Sequence, residues 1–179
     1  MICIESWSIY LIVWLFPVFF LIHDLEEILT VKSFMSRNKD RIVPLLPQKL
    51  AVFVQKQFDL TTVQFSVAVA FVFLFVISST YLATHYNFDE GALRYLFIIV
   101  AVFFLHVFTH VEQALILRTY TPGVITSVLI ILPYTSYVFF RLFREHLIDW
   151  NFVLVNIPFV LLALPIILGT HFIASKLVN

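Results

Sequence analysis

Apolar residues run along the chain in five long blocks, each separated from the next by a short polar stretch. A helix needs about 20 mostly apolar residues to cross a bilayer. On that measure the pattern predicts spans from about Trp7 to Leu29, Leu60 to Thr84, Ala92 to Leu117, Gly123 to Phe140 and Phe152 to Ala174. Pro17 is expected to kink the first span, and Pro158 and Pro165 interrupt the fifth. The fourth is the shortest and opens after the turn Tyr120-Thr121-Pro122-Gly123. The run Val43-Pro44-Leu45-Leu46-Pro47, with the residues after it, reads as a helix lying along the headgroup surface. The expected fold is all-α: one transmembrane helical domain over residues 1–179, a polytopic bundle of about five helices, with a basic loop at about 31–59.

Composition sharpens this picture. Of the 179 residues 61% are hydrophobic and 12% charged, where a soluble domain carries about 25% charge; too little charge remains to cover a water-facing surface. A net charge of zero offers no basic face for nucleic acid. The single cysteine, Cys3, cannot form an internal disulfide. The first apolar run lacks a basic flank and an A-x-A-like site, so it reads as a retained span rather than a signal peptide. Six of the eleven basic residues, Lys32, Arg37, Lys39, Arg41, Lys49 and Lys56, fall in the 31–59 connection. The positive-inside rule then puts that loop and the C-terminus in the cytoplasm and the N-terminus outside. The lipid bilayer is the first expected partner.

Ionisable side chains inside a membrane are expensive, face the bundle interior and mark function. In His23-Asp24-Leu25-Glu26-Glu27, the i,i+3 and i,i+4 spacings put His23, Glu26 and Glu27 on one helix face. Asp24 is expected to point elsewhere, toward headgroups or the neighbouring loop. In the third span His106, His110 and Gln113 share a face, and Glu112 lies off it. His171 in the fifth span is a third contributor. His23, His110 and His171 precede Lys32, Arg118 and Lys176 by nine, eight and five positions. At a rise of about 1.5 Å per residue they sit about 13, 12 and 8 Å from the same membrane end. Asn156 lies nearer the opposite end, and Gln64 opens the second span. His85 and His146 fall in outer connections and read as exposed. The 21 phenylalanines read as packing and lipid-facing residues.

Nitrogen and oxygen donors at a shared depth suit a divalent metal ion, zinc first, with iron or manganese as alternatives. His23, Glu27, His106, His110 and His171 are the candidate ligands, and Glu26 and Glu27 the candidate acid–base groups. The function this points to is a metal-dependent enzyme acting on a lipidic substrate. Hydrolysis is preferred over oxidation because His-x-x-Glu reverses the Glu-x-x-His order of helical di-iron sites. The same residues admit other readings. His23 to Glu27 can be the wet end of the first helix, and His106 a buried structural histidine. The cluster can serve a proton- or metal-coupled transporter, although five helices divide poorly into repeats. It can also serve a metal-free acid–base enzyme on a lipid or isoprenoid, or belong to a structural or immunity-type membrane protein.

The motif His23-Asp24-Leu25-Glu26-Glu27, followed by His106-x-x-x-His110 and Tyr120-x-Pro122-Gly123, resembles the HXXEE-motif family of bacterial membrane proteins. The resemblance runs from about Trp7 to the C-terminus. It implies a bacterial cytoplasmic membrane and singles out His23, Glu26, Glu27, His106 and His110, with His171 less firmly. It supplies no substrate.

Overall fold

The computed structural model describes residues 8–45, 48 and 61–177, without the side chains of residues 45, 164–168, 170–172 and 175. Among these residues the chain is all-helical. Five helices form a polytopic membrane bundle: α1 Ile9–Ile42, α2 Thr62–His85, α3 Glu90–Leu117, α4 Val124–Arg144 and α5 Trp150–Leu177. The first four are each long and apolar enough to cross a bilayer. In α5 the apolar stretch Trp150–Ala163 leads into residues whose side chains are partly outside those described.

Helix starts follow local chemistry. Ser8, Thr61, Asp89 and Asp149 each stand just before a helix and accept a backbone N–H of its first turn, at 3.3, 3.1, 2.8 and 2.7 Å. Gln64 completes a capping box with Thr61, so its polarity serves the start of α2. α4 alone starts without such a cap, because Gly123 holds that position.

One boundary differs from the hydropathy reading. α1 does not stop near Leu29 but runs on to Ile42, 34 residues in all from Ile9, so residues 31–42 of the expected basic loop are helical. At about 1.5 Å per residue α1 is about 51 Å long, against a hydrocarbon core of about 30 Å. Hydropathy marks where the bilayer ends, whereas a helix ends at a stop signal, here Pro44, whose nitrogen has no hydrogen for the next i→i−4 bond. The expected surface helix begins as a single 3-10 turn, Val43–Leu45; the rest of that segment, apart from Gln48, lies outside the described residues.

α1 packs most extensively on α2, α2 also meets α3 and α5, and α3 meets α4 and α5. On α1 the residues Leu11, Trp14, Val18, Leu21, Leu25 and Leu29 point outward, while Ile12, Phe16, Phe20 and His23 are buried. The 3.6-residue period thus divides lipid face from bundle face. α2 buries Ala68, Ser79, Thr80 and Ala83, small residues that let helices approach where lipid removes the usual hydrophobic drive. Tyr134 ties α4 to α1 by donating to the Ile12 carbonyl at 2.9 Å. Within α4, Ser127–Ile131 forms one wider π-type turn, which shifts the residues before it relative to those after it.

Candidate metal centre

Two helices each bring a pair of donors spaced i,i+4, so each pair stacks along one face. α1 supplies His23 and Glu27; α3 supplies His106 and His110. Where the faces meet, one donor atom from each of the four lies within 4.8 Å of the others. His110 Nε2 is 2.8 Å from His106 Nε2 and 3.2 Å from Glu27 Oε1. The His23 ring lies edge-on to both partners, 5.1 Å from His110 and 5.7 Å from His106 between centroids. His23 and His110 are buried, at 1% and 4% exposure, while Glu27 and His106 are half-buried. His23 Nε2 is buried with no hydrogen-bond partner among the described residues. An unpaired buried polar atom is unfavourable and calls for an explanation.

The turn between α3 and α4 closes over the cluster. Thr121 donates to the His110 carbonyl at 3.4 Å. Gly123 has φ +78°, and a Cβ there would lie 2.7 Å from His110 Cε1 and 2.9 Å from both Glu27 Oε1 and His23 Cε1. Glycine is therefore required twice, by its backbone angle and by the side chains it touches. The long α1 helps to hold this turn: Arg41 donates to the Leu117 carbonyl at the end of α3, at 2.7 Å.

Glu26 takes no part in the cluster. It faces α4, where Oε2 accepts from the Thr126 amide at 2.8 Å and the Thr126 hydroxyl at 2.5 Å, and Oε1 accepts from the Tyr120 phenol at 2.7 Å. It thereby supplies the cap that Gly123 cannot, satisfying an amide of the first turn of α4. Thr126 Oγ1 also contacts His23 Nδ1 at 2.9 Å. On α3, Thr109 Oγ1 lies 3.3 Å from His106 Nδ1 and donates to the His106 carbonyl at 2.7 Å. Behind His23 and His106 there is thus one threonine hydroxyl each, which sequence spacing did not mark.

Of the six residues singled out as ligands or acid–base groups, the structure gathers His23, Glu27, His106 and His110. Glu26 is directed to α4 and stands outside the gathered four. The His171 side chain lies outside the described residues. Asp24, expected near headgroups or a loop, is buried at 7% exposure. Gln113, expected to share the histidine face, is exposed, as is Glu112. Asn156 is buried within α5 and donates to the Phe152 carbonyl at 2.7 Å. His85 and His146 are exposed, as expected. Thr126 and Thr109 carried no legible signal, while Tyr120 and Gly123 stood in the Tyr-x-Pro-Gly turn.

A family model described as a protein of unknown function with HXXEE motif matches residues 14–138. The match takes in all four clustered side chains and the turn over them, but ends within α4, short of α5 and His171; the extent expected from Trp7 to the C-terminus is corrected accordingly. No curated protein and no solved structure matched the chain.

Proposed function

Because the chain belongs to the HXXEE-motif family, whose function is unknown, we propose from its own residues that it is a metal-dependent membrane enzyme acting on a lipidic substrate. The observation that carries this reading is the meeting of three imidazoles and one carboxylate, largely shielded from water, within 4.8 Å. His23, His106 and His110 hold a divalent ion, zinc before iron or manganese, through ring nitrogens. A zinc held there would act as a Lewis acid and lower the pKa of a water to about 7. Glu27, 3.2 Å from His110 Nε2, would be the acid–base group, since Glu26 is engaged with Thr126 and Tyr120. One carboxylate in the cluster, rather than the four of helical di-iron sites, favours hydrolysis over oxidation. The centre lies among membrane-spanning helices, so substrate reaches it from the bilayer or its interface. By the positive-inside rule that interface is the cytoplasmic one.

The test is metal analysis by mass spectrometry of detergent-purified protein beside His23→Ala and His110→Ala. One zinc, iron or manganese per chain that disappears in both variants supports the reading. A folded protein that stays metal-free after reconstitution sinks it. That second outcome favours a proton-coupled transporter or a metal-free acid–base enzyme. The first of these draws on the hydrogen-bonded run from exposed Tyr120 through Glu26 and Thr126 to buried His23.

A further inference from the structure

Hydroxyl groups behind the cluster decide which nitrogen of each imidazole carries its proton. The Thr126 hydroxyl has one hydrogen to give. Its contact with Glu26 Oε2 is 2.5 Å, against 3.4 Å to the Gly123 carbonyl. Glu26 accepts from the Thr126 hydroxyl, the Thr126 amide and the Tyr120 phenol, so the Thr126 hydrogen is directed to it. The 2.9 Å contact between Thr126 Oγ1 and His23 Nδ1 is then one in which the ring donates. The same reasoning applies on α3. Thr109 gives its hydrogen to the His106 carbonyl at 2.7 Å, so the 3.3 Å contact with His106 Nδ1 is donated by the ring. Each neutral imidazole has one N–H, which leaves Nε2 of both rings bare.

His106 Nε2 faces His110 Nε2 at 2.8 Å. Two bare nitrogens at that separation would oppose lone pair to lone pair, so His110 Nε2 carries the hydrogen and donates it to His106. Glu27 Oε1 lies near the same nitrogen at 3.2 Å.

We infer that Thr126, anchored by Glu26, and Thr109 are positioning residues that fix His23 and His106 with the proton on Nδ1 and Nε2 bare toward the cluster, so that His110 alone changes tautomer when a divalent metal enters. At His110 one proton leaves Nε2 and one is taken up at Nδ1, with no net release. The tautomers of His23 and His106 belong to the protein without metal; the switch at His110 rests on the metal reading. Partners of this kind, holding the far nitrogen of a metal-binding imidazole, typically contribute 10- to 100-fold in metal affinity.

The experiment is nitrogen-15 NMR of histidine-labelled protein, with resonances assigned through single histidine substitutions, in wild type, Thr126→Val and Thr126→Ser. In metal-free wild type at neutral pH, His23 and His106 show a protonated Nδ1 and a bare Nε2, and His110 the reverse. Thr126→Val moves the His23 proton to Nε2 and weakens zinc binding about 10- to 100-fold, whereas Thr126→Ser restores both. Zinc added to wild type changes the His110 pattern and leaves the protonation of the other two rings as it was. A wild-type His23 with its proton on Nε2, or a Thr126→Val protein with the wild-type pattern, overturns the inference. The expected tautomers in a protein that binds no metal support the hydroxyl assignment and overturn the metalloenzyme reading instead, so the two failures are distinguishable.

Discussion

The stripe along which α1 meets α3 changes character halfway down. In its upper part Phe16 and Phe20 pack on Phe103, with ring centroids 5.6 and 5.0 Å apart. One turn further, the same helical spacing delivers His23 and Glu27 against His106 and His110. Phe103 touches both parts, lying 6.3 Å from the His23 ring. The backbone geometry is shared, so the difference lies in side-chain chemistry alone. Phenylalanines fill space and need no partner, whereas imidazoles and carboxylates need partners that the bundle must supply. The lower part accordingly has a glycine turn pressed on it, and threonine hydroxyls and a second carboxylate behind it.

The largest expected effect comes from the phenylalanine part of the stripe. Phe16→Ala removes a fully buried ring and is expected to destabilise the protein by about 3–5 kcal/mol. Thermal or denaturant titration in detergent reads that loss, while the metal content of the folded fraction stays at the wild-type value. If metal binding falls together with stability, the two halves are one cooperative unit and the division drawn here is wrong.

Gly123→Ala acts from below. An L-residue in the left-handed region costs about 1–2 kcal/mol, a smaller stability effect than that of Phe16→Ala. Its methyl group also arrives 2.7–2.9 Å from His110, Glu27 and His23. Metal affinity should therefore fall by well over tenfold, of the order seen when groups supporting a ligand are displaced. Calorimetric zinc titration measures it. Unchanged affinity in the alanine variant would mean that the turn does not shape the site.

How far the sequence leads can be judged from neighbours within one motif. Hydropathy and length dictate an all-helical membrane bundle, since only helices or closed barrels satisfy every backbone group in lipid. Spacing puts His23 with Glu27 and His106 with His110 on two faces. It does not separate Glu26 from Glu27. The two lie about 100° apart around the helix, on either side of His23, and only the placement of α3 and α4 sends one carboxylate to the cluster and the other to Thr126. The depth argument aligns imidazoles along the membrane normal but says nothing of which way they turn. The π-type turn beside Thr126 has no period in the sequence to announce it, and threonines are too common in helices to be noticed as supports. Asp24 is buried against expectation for the same reason: whether a face is covered depends on neighbouring helices, not on the helix that carries it.

The smallest effect tests how far the support around the lower half extends. Tyr120 lies in the turn between α3 and α4 and gives Glu26 one of its three hydrogen bonds. Tyr120→Phe removes that donor and leaves both bonds from Thr126, so Glu26 stays attached and His23 keeps its anchor. Zinc affinity should fall by less than the roughly tenfold lower limit for groups that contact a ligand directly, with little change in thermal midpoint. Burial first, and then the contact with Glu26, raise the phenol above the usual tyrosine range, so the donor is intact at neutral pH. Because the folded-state value is raised, its contribution is fully present below the ordinary tyrosine pKa and is lost as pH climbs through the raised one. The difference between wild type and Tyr120→Phe, followed by zinc titration across alkaline pH, should therefore close at the top of the range. A loss as large as that of Thr126→Val would instead make Tyr120 an equal member of the anchoring group, and the boundary of the site would have to be redrawn to include the turn.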